Sequence, residues 1–183
     1  VSRTTAAQQL GGQQGRIPAA VRQVERIDVS GNSAVVEWVG TSGIALERWR
    51  AEMRREGERW VVAGIERLDS PIPKGVNATI PVRMDETGLD FSQSLVDGGY
   101  VGFRVENQGD TAYAVALVMD GEWIATTRII APGEAVSMGF AVPLERGSYT
   151  LVPFIPPGSM TEDPQLVQRM STEFDMPYLL GRG

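Results

Sequence analysis

Short runs of alternating apolar and polar residues, separated by turn-forming residues, constrain this chain more than any other feature. Between Tyr100 and Met160 these runs are interrupted at Asn107-Gln108-Gly109-Asp110, at Asp120-Gly121 and at Ala131-Pro132-Gly133-Glu134. Short strands at intervals of ~8 to 12 residues are typical of Greek-key sandwiches. The stretch therefore predicts the core of a small all-β sandwich.

The first third of the chain also alternates. Its runs predict an antiparallel meander with strands at Val24–Val29, Ala34–Val39, Leu46–Arg55 and Trp60–Leu68. The third run is rich in residues that favour helices. A helix would separate Ala51 from Trp49 and Met53, however, whereas a strand places all three on one face. The alternation therefore favours a strand with one apolar and one charged face.

Three tryptophans, Trp38, Trp49 and Trp60, share the predicted apolar face. Such a face is more often part of a core, because indole rings bury a large apolar area, but it also suits a sugar or aromatic ligand. The charged face carries five arginines interspersed with glutamates, which predicts a self-neutralising, solvated surface. These arginines are Arg48, Arg50, Arg54, Arg55 and Arg59.

Charge is distributed unevenly along the 183 residues. Residues 1–70 carry ten Arg against nine Asp and Glu, whereas residues 71–183 carry seven Lys and Arg against fourteen Asp and Glu. The acidic second half argues against a nucleic-acid partner, because binding phosphates requires clustered cations. No apolar run approaches the ~18 to 20 residues that a membrane-spanning helix needs.

A Pro/Gly-rich break at residues 69–75 marks the best domain boundary. The predicted parts are a flexible leader (1–21), an antiparallel β-meander (22–70), a linker (71–76), a β-sandwich (77–160) and a short helix with an apolar tail (161–183). The leader is rich in Ser, Thr, Ala, Gln and Gly and begins with Val1. That start is expected of a chain trimmed from a precursor, of a fragment, or of a start codon read as Val.

The second half resembles the cupredoxins, the family with the blue-copper fold. The resemblance rests on Phe91–Leu95 before the family's second strand, on the Asn107–Asp110 turn, on the Ala131–Glu134 turn, and on Gly147-Ser148-Tyr149 followed by Met160. It implies a Greek-key sandwich with Tyr113 in the place of the first copper-binding His and Met160 in that of the axial Met.

A blue-copper site needs two His, one Cys and usually an axial Met. The chain has no His and no Cys, so we expect no copper, no other cofactor and no redox role. The apolar loop at residues 153–160 then takes the place that copper would have occupied. Loops on a rigid scaffold often carry function, which favours contact with a partner.

The first part resembles the C-terminal sheet of the nuclear transport factor 2-like (SnoaL-like, cystatin-like) superfamily. The similar pieces are Ser30–Val36, the long charged strand that follows, and Glu56–Val62. The superfamily's N-terminal helices have no counterpart here, and none of its site residues can be transferred. A bare antiparallel sheet packed on the second domain is an equally good interpretation.

Asp163-Pro164 has the composition of a helix start, and it predicts a short helix over Pro164–Phe174. Leu166, Met170 and Phe174 would form its apolar stripe. The tail that follows is apolar for a chain end, so it is expected to bury either on its own domain or on a partner. The overall expectation is a mainly β chain with a four-stranded N-terminal sheet, a cupredoxin-like sandwich, and a short helix and tail.

Catalysis is not expected, because the chain lacks His, Cys and a Gly-x-Ser-x-Gly elbow. The resemblance to cupredoxins implies an accessory subunit on the periplasmic or extracellular side of a membrane. Such a subunit would dock onto a protein complex of respiratory or photosynthetic electron transfer, with the membrane reached through that partner or a missing N-terminal anchor. The predicted partner-binding residues are Phe154, Ile155, Pro156, Pro157, Met160, Met176, Tyr178, Leu179 and Leu180. The alternative is a small-ligand or carbohydrate-binding module that uses Trp38, Trp49 and Trp60.

Overall fold

The computed structural model describes residues 20–76, 78–91, 99–145, 147–154 and 172–176. As the sequence predicts, this part of the chain is mainly β, and it contains no helix. Its strands are β1 (Ala20–Ser30), β2 (Ser33–Ser42), β3 (Ala45–Glu56), β4 (Arg59–Leu68), β5 (Ala78–Asp85), β6 (Gly88–Phe91), β7 (Val101–Asn107), β8 (Ala114–Met119), β9 (Glu122–Thr126), β10 (Ala135–Met138), β11 (Gly147–Phe154) and β12 (Thr172–Met176). The first sheet has the order β1-β2-β3-β4, the second β10-β7-β5-β6 and the third β12-β11-β8-β9.

The first sheet is the predicted antiparallel meander, although β1 begins at Ala20, inside the predicted leader. Trp38 lies opposite Trp49, and the two rings stack with their centroids 6.5 Å apart. Trp38 forms a buried cluster with four smaller side chains, and Trp49 and Trp60 pack against it. The predicted apolar face with its three tryptophans is therefore confirmed.

The second and third sheets pack face to face around the main core. The second sheet contributes Ile80 and Phe103 to this core, and the third contributes Leu117, Tyr149 and Leu151. The strands β5 and β7 pair in parallel, whereas the other strand pairs are antiparallel. The chain passes between the two sheets after β7, β9 and β10. These non-local connections, rather than a simple meander, define the sandwich.

The sequence predicts a strand over Ala135–Val142, but β10 ends at Met138, four residues earlier. The chain there leaves the second sheet and pairs with the start of β3. The Leu46 N–H donates to the Gly139 carbonyl at 2.9 Å, and the Ala141 N–H donates to the Ile44 carbonyl at 2.8 Å. This pairing, which we call the seam, joins the first sheet to the sandwich through backbone hydrogen bonds.

The predicted linker packs tightly at the seam. A Cβ added at Gly139 would lie 2.0 Å from the carbonyl oxygen of Pro71. A Cβ at Gly102 would lie 3.1 Å from three carbons of the Ile72 side chain. Gly102 of β7 and Gly139 of the seam thus let the Pro71-Ile72 segment approach closely.

Hydrogen bonds from Arg67 add a second connection between the first sheet and the sandwich. Arg67 of β4 donates to the Thr126 backbone and side-chain oxygens on β9 and pairs with Glu47 at 3.3 Å. Glu47 also accepts a hydrogen bond from the Trp49 indole at 3.1 Å. Burial lowers the pKa of Arg67, although the charge of Glu47 opposes that effect.

Asn107 organises one end of the sandwich and is completely buried. Its side-chain NH₂ donates to the Thr111 carbonyl at 2.7 Å and to the Ile130 carbonyl at 3.0 Å. Its side-chain oxygen accepts from the Gly109 N–H at 3.0 Å. Its backbone carbonyl accepts from Gly133 N–H at 2.8 Å, and its N–H donates to the Glu134 carbonyl. One residue therefore fixes both predicted turns, 107–110 and 131–134.

The C-terminal part differs from the sequence prediction. Residues 172–174, the end of the predicted helix, belong to β12, where Phe174 lies opposite Tyr149. Pairing with β12 satisfies the backbone groups that would otherwise leave β11 as a sheet edge. Residues 164–171 of the predicted helix lie outside the described residues.

We predict that Asn107→Ala lowers the free energy of unfolding by about 3 kcal/mol. The substitution leaves the buried Gly109 N–H and the half-buried Thr111 carbonyl without these partners, and the Ile130 carbonyl keeps only its hydrogen bond from the Tyr113 N–H. Asn107→Asp should be at least as damaging at neutral pH, since it turns the donating NH₂ into a carboxylate oxygen that faces two carbonyls. Urea denaturation measures both. The control is Gln108→Ala at the exposed neighbouring position. An Asn107→Ala variant as stable as this control would contradict the role assigned to Asn107.

We predict that Gly139→Ala lowers the free energy of unfolding by about 1–3 kcal/mol, because the new methyl group overlaps the Pro71 carbonyl and forces the seam apart. The matched control is Gly64→Ala, where the nearest atom to the added Cβ is a Glu52 carboxylate oxygen at 4.0 Å. Thermal unfolding of the two variants gives the comparison. Equal melting temperatures would show that the seam is not closely packed at Gly139.

Candidate partner-binding surface

The predicted partner-binding residues fall mostly outside the described part of the chain. Phe154 is the last residue of β11 and is half-buried, and Met176 is the last residue of β12, opposite Gly147. The remaining predicted positions lie outside the described residues. They are Ile155, Pro156, Pro157, Met160, Tyr178, Leu179 and Leu180.

The third sheet is apolar on both faces. Its inner face meets the core through Val115 and Leu117, so the alternate residues Ala114, Ala116 and Val118 of β8 lie on the opposite face. Ala114 and Ala116 are buried on that face as well, and Val118 is half-buried. Residues directly opposite in an antiparallel pair share a face. The outer face therefore also includes the partners of these three residues in the neighbouring strands. These partners are Phe154, Val152, Thr150, Thr126 and Trp123.

The second sheet shows the opposite pattern on its outer face. There, β5 and β7 present Arg83, Arg104 and Glu106, all of which are exposed. A sandwich in water normally alternates between apolar inward and polar outward residues. The outer face of the third sheet departs from that pattern.

Trp123 is the most prominent side chain on this outer face, with 58% of its surface exposed. Its ring contacts the Phe154 ring, with centroids 4.9 Å apart and planes inclined by 53°. Sequence reasoning missed Trp123, although the signal was available. The Asp120-Gly121 hairpin pairs Val118 with Trp123, and the alternation along β8 then places Trp123 outside the core.

Next to Trp123 lies an open cleft of about 330 Å³. It is formed where the β2–β3 turn approaches the sandwich. Gly43 and Ile44 come from that turn, and the remaining wall comes from the β8–β9 hairpin, the segment after the seam, and β11. The lining residues are Gly43, Ile44, Met119, Trp123, Ile124, Val142, Pro143, Glu145 and Tyr149.

Tyr149 and the carboxylates around it set the electrostatics of the cleft. The Tyr149 hydroxyl donates to the Glu145 carbonyl at 2.7 Å, which resembles the tyrosine corner of Greek-key sandwiches. Burial raises the pKa of Tyr149, and the negative charges of Glu145 and Asp120 raise it further. Both carboxylates therefore act on the inner end of the cleft.

The tryptophans of the first sheet are less accessible than Trp123. Trp38 is 1% exposed, and Trp49 and Trp60 are half-buried. The indole N–H of Trp38 has no hydrogen-bond acceptor among the described residues. The packing gives Trp38 a role in the core of the first sheet, whereas parts of Trp49 and Trp60 reach solvent.

Ion pairs occupy the charged face of the first sheet. Arg48 pairs with Glu25 at 2.6 Å, Arg50 with Glu66 at 3.4 Å and Arg54 with Glu56 at 2.5 Å. Arg55 instead donates to the Gly57 carbonyl at 3.1 Å. These contacts agree with the interpretation of this face as self-neutralising and solvated.

The position that the cupredoxin resemblance gives to a copper-binding His is occupied by Tyr113, which is 1% exposed. Its backbone exchanges hydrogen bonds with Ile130 at 3.2 and 2.7 Å. Met160 lies outside the described residues. Within the residues that the structure describes, no group of three or more acidic side chains could hold a metal ion. The same residues contain no helix that is long and apolar enough to cross a membrane.

No protein-family model and no curated protein matches this sequence. Among solved structures, the chain is similar to Lac15 from a marine microbial metagenome. The two are 11% identical, and the TM-score is 0.28. The match covers 70% of this chain and 40% of the Lac15 chain, so this chain spans less than half the length of that protein. A TM-score this low carries no argument about fold or function.

We predict that Tyr149 makes the protein sensitive to alkaline unfolding. Because its pKa is raised in the folded state, protonated Tyr149 contributes stability that is complete below the ordinary pKa of about 10 and is lost as the pH rises through the folded pKa. Tyr149→Phe should therefore flatten the fall in unfolding free energy between about pH 9 and about pH 12, measured with urea. Tyr100→Phe, at an exposed position, is the control, and equal slopes in the two variants would contradict the assignment.

Proposed function

We propose that this protein is a non-catalytic accessory subunit that docks onto a larger protein assembly through the outer face of its third sheet. The observation that carries the proposal is Trp123, more than half exposed on an apolar outer face and in contact with Phe154. Of the described residues named on this face, Trp123 alone is exposed, and exposed apolar surface marks many protein interaction sites. Tryptophan is also among the residues most enriched at the energetic centres of interfaces.

The cupredoxin resemblance supplies the setting of this proposal. The resemblance is supported by two four-stranded sheets between which the chain crosses after β7, β9 and β10. It is also supported by Asn107, which lies in the turn that the resemblance identifies and holds that turn to residues 131–134. On this basis we propose a location on the periplasmic or extracellular side of a membrane. The partner would be a membrane-bound complex of respiratory or photosynthetic electron transfer.

The chemistry of the described carboxylates supports a non-catalytic role. A catalytic carboxylate usually has a shifted pKa and lies in a pocket with other reactive groups. Hydrogen bonds from Thr87 lower the pKa of Asp85, and hydrogen bonds from Arg128 lower that of Glu134. Asp85 is the last residue of β5 and Glu134 lies in the turn before β10. Neither carboxylate lines the cleft, so their pKa shifts reflect local structure.

A second candidate function is a ligand-binding module on the first sheet. The indole N–H of Trp38, which has no acceptor within the described part of the chain and lies next to the stacked Trp49 ring, favours this function. A small ligand with an oxygen acceptor could satisfy this donor. The low exposure of Trp38 makes this the weaker proposal, because a bound ligand would have to displace part of the packed cluster.

Capture from a membrane extract of the source organism tests both functions. The immobilised full chain should retain a defined set of proteins in fixed ratio, and the purified complex should have one native mass. Trp123→Ala should lower the captured amount by about tenfold, the loss expected for an interface hot spot. Trp60→Ala, a matched removal of a half-buried tryptophan, should leave capture unchanged, with circular dichroism confirming that both variants fold.

A wild-type chain that stays monomeric and retains no protein in fixed ratio would overturn the docking proposal. Equal capture by wild type and Trp123→Ala would remove the third sheet from the interface. A small molecule that co-purifies with the wild type and is lost in Trp60→Ala would favour the ligand-binding module instead.

A further inference from the structure

The cleft beside Trp123 combines an apolar wall with nearby negative charge. Met119, Ile124, Val142 and Pro143 supply the wall, and Trp123 forms one side. Glu145 lines the cleft, and the Asp120 charge reaches Tyr149 inside it. Among the described residues that line the cleft, none is basic.

The size of the cleft limits what it can hold. Its volume of about 330 Å³ is at the lower end of the roughly 300–1,000 Å³ found for ligand sites. One or two apolar side chains would fill it. The cleft is also open to solvent along the exposed edge of Trp123 and at Val142, which is 43% exposed, so a longer chain can enter and leave on either side of an inserted side chain.

We propose that this cleft binds a partner segment with an apolar anchor residue followed by Lys or Arg. The anchor fills the space between Trp123, Ile124 and Val142, and the cation pairs with Glu145 or lies against the Trp123 ring, which attracts cations. The excess of acidic residues over residues 71–183 steers a basic partner toward this half of the molecule. The inference rests on the proposed docking function and names the class of segment that the docking site recognises.

The geometry gives the cleft two-part specificity. An anchor without a cation leaves the Glu145 side uncompensated, and a cation without an anchor leaves the apolar wall in water. Tyr149 adds rigidity, because its hydroxyl is held by the Glu145 carbonyl at 2.7 Å and its ring is buried in the sandwich core. The Glu145 backbone is thereby fixed to the core beneath the cleft.

Nuclear magnetic resonance of the ¹⁵N-labelled full chain tests the inference with a short capped peptide of sequence Gly-Leu-Leu-Lys-Arg-Gly. The peptide should shift the Trp123 indole N–H and the Ile124 amide, with a dissociation constant of about a millimolar or below. Glu145→Gln should weaken binding by about three- to tenfold, and Trp123→Ala should abolish the Ile124 shift. Glu106→Gln, on the outer face of the second sheet, is the matched control and should bind normally.

Two altered peptides complete the test, one with the basic residues replaced by Glu and one with the leucines replaced by Ser. Both should leave Trp123 unshifted. Three results would each overturn the inference. The first is an altered peptide that binds as well as the original one, and the second is an equal effect of Glu145→Gln and Glu106→Gln on binding. The third is the absence of a Trp123 shift with the basic peptide. Capture of an assembly through Trp123 without peptide binding would overturn this inference alone. Peptide binding by a chain that captures no assembly would overturn the docking function alone.

Discussion

The buried amide of Asn107 is the contact on which the end of the sandwich depends. A side-chain amide can donate two hydrogen bonds and accept two, and Asn107 uses both donors on carbonyls of Thr111 and Ile130. These carbonyls belong to segments that are separated along the chain but adjacent in space. No apolar residue could make these bonds, and a buried polar group that loses its hydrogen-bond partner destabilises the fold. The end of the sandwich that carries the 107–110 and 131–134 turns is thus held by an amide and by backbone hydrogen bonds.

The seam has a comparable role at the junction with the first sheet. Because residues 139–141 leave the second sheet to pair with Ile44 and Leu46, the following residues are carried toward the β2–β3 turn. Val142, Pro143 and Glu145 consequently form one wall of the cleft. The site that we propose for the partner is therefore a product of how the two parts of the chain join. The hydrogen bonds from Arg67 to Thr126 reinforce the same junction.

Patterns of neighbouring residues in the sequence were sufficient to predict those strand faces and turns that depend only on neighbouring residues. The alternation of Trp49, Ala51 and Met53 predicted the faces of β3, and Asp120-Gly121 predicted a hairpin whose two turn residues have φ of 51° and 79°. Such φ values favour these residue types. The early end of β10 and the strand at Thr172–Met176 could not be predicted in this way, because each depends on a partner strand distant in sequence. The apolar spacing before Phe174 suited a helix equally well, and pairing with β11 decided the outcome for residues 172–174.

The two outer faces of the sandwich show that folding alone does not require an apolar surface on the third sheet. The second sheet packs on the same core while presenting Arg83, Arg104 and Glu106 to water. A polar outer face is therefore compatible with this sandwich. Trp123 gains little from folding at its present exposure, since the hydrophobic contribution follows the apolar area removed from water. An indole ring in that position contributes its full apolar area only when another surface covers it, and this is the physical argument for the binding role that we propose for Trp123.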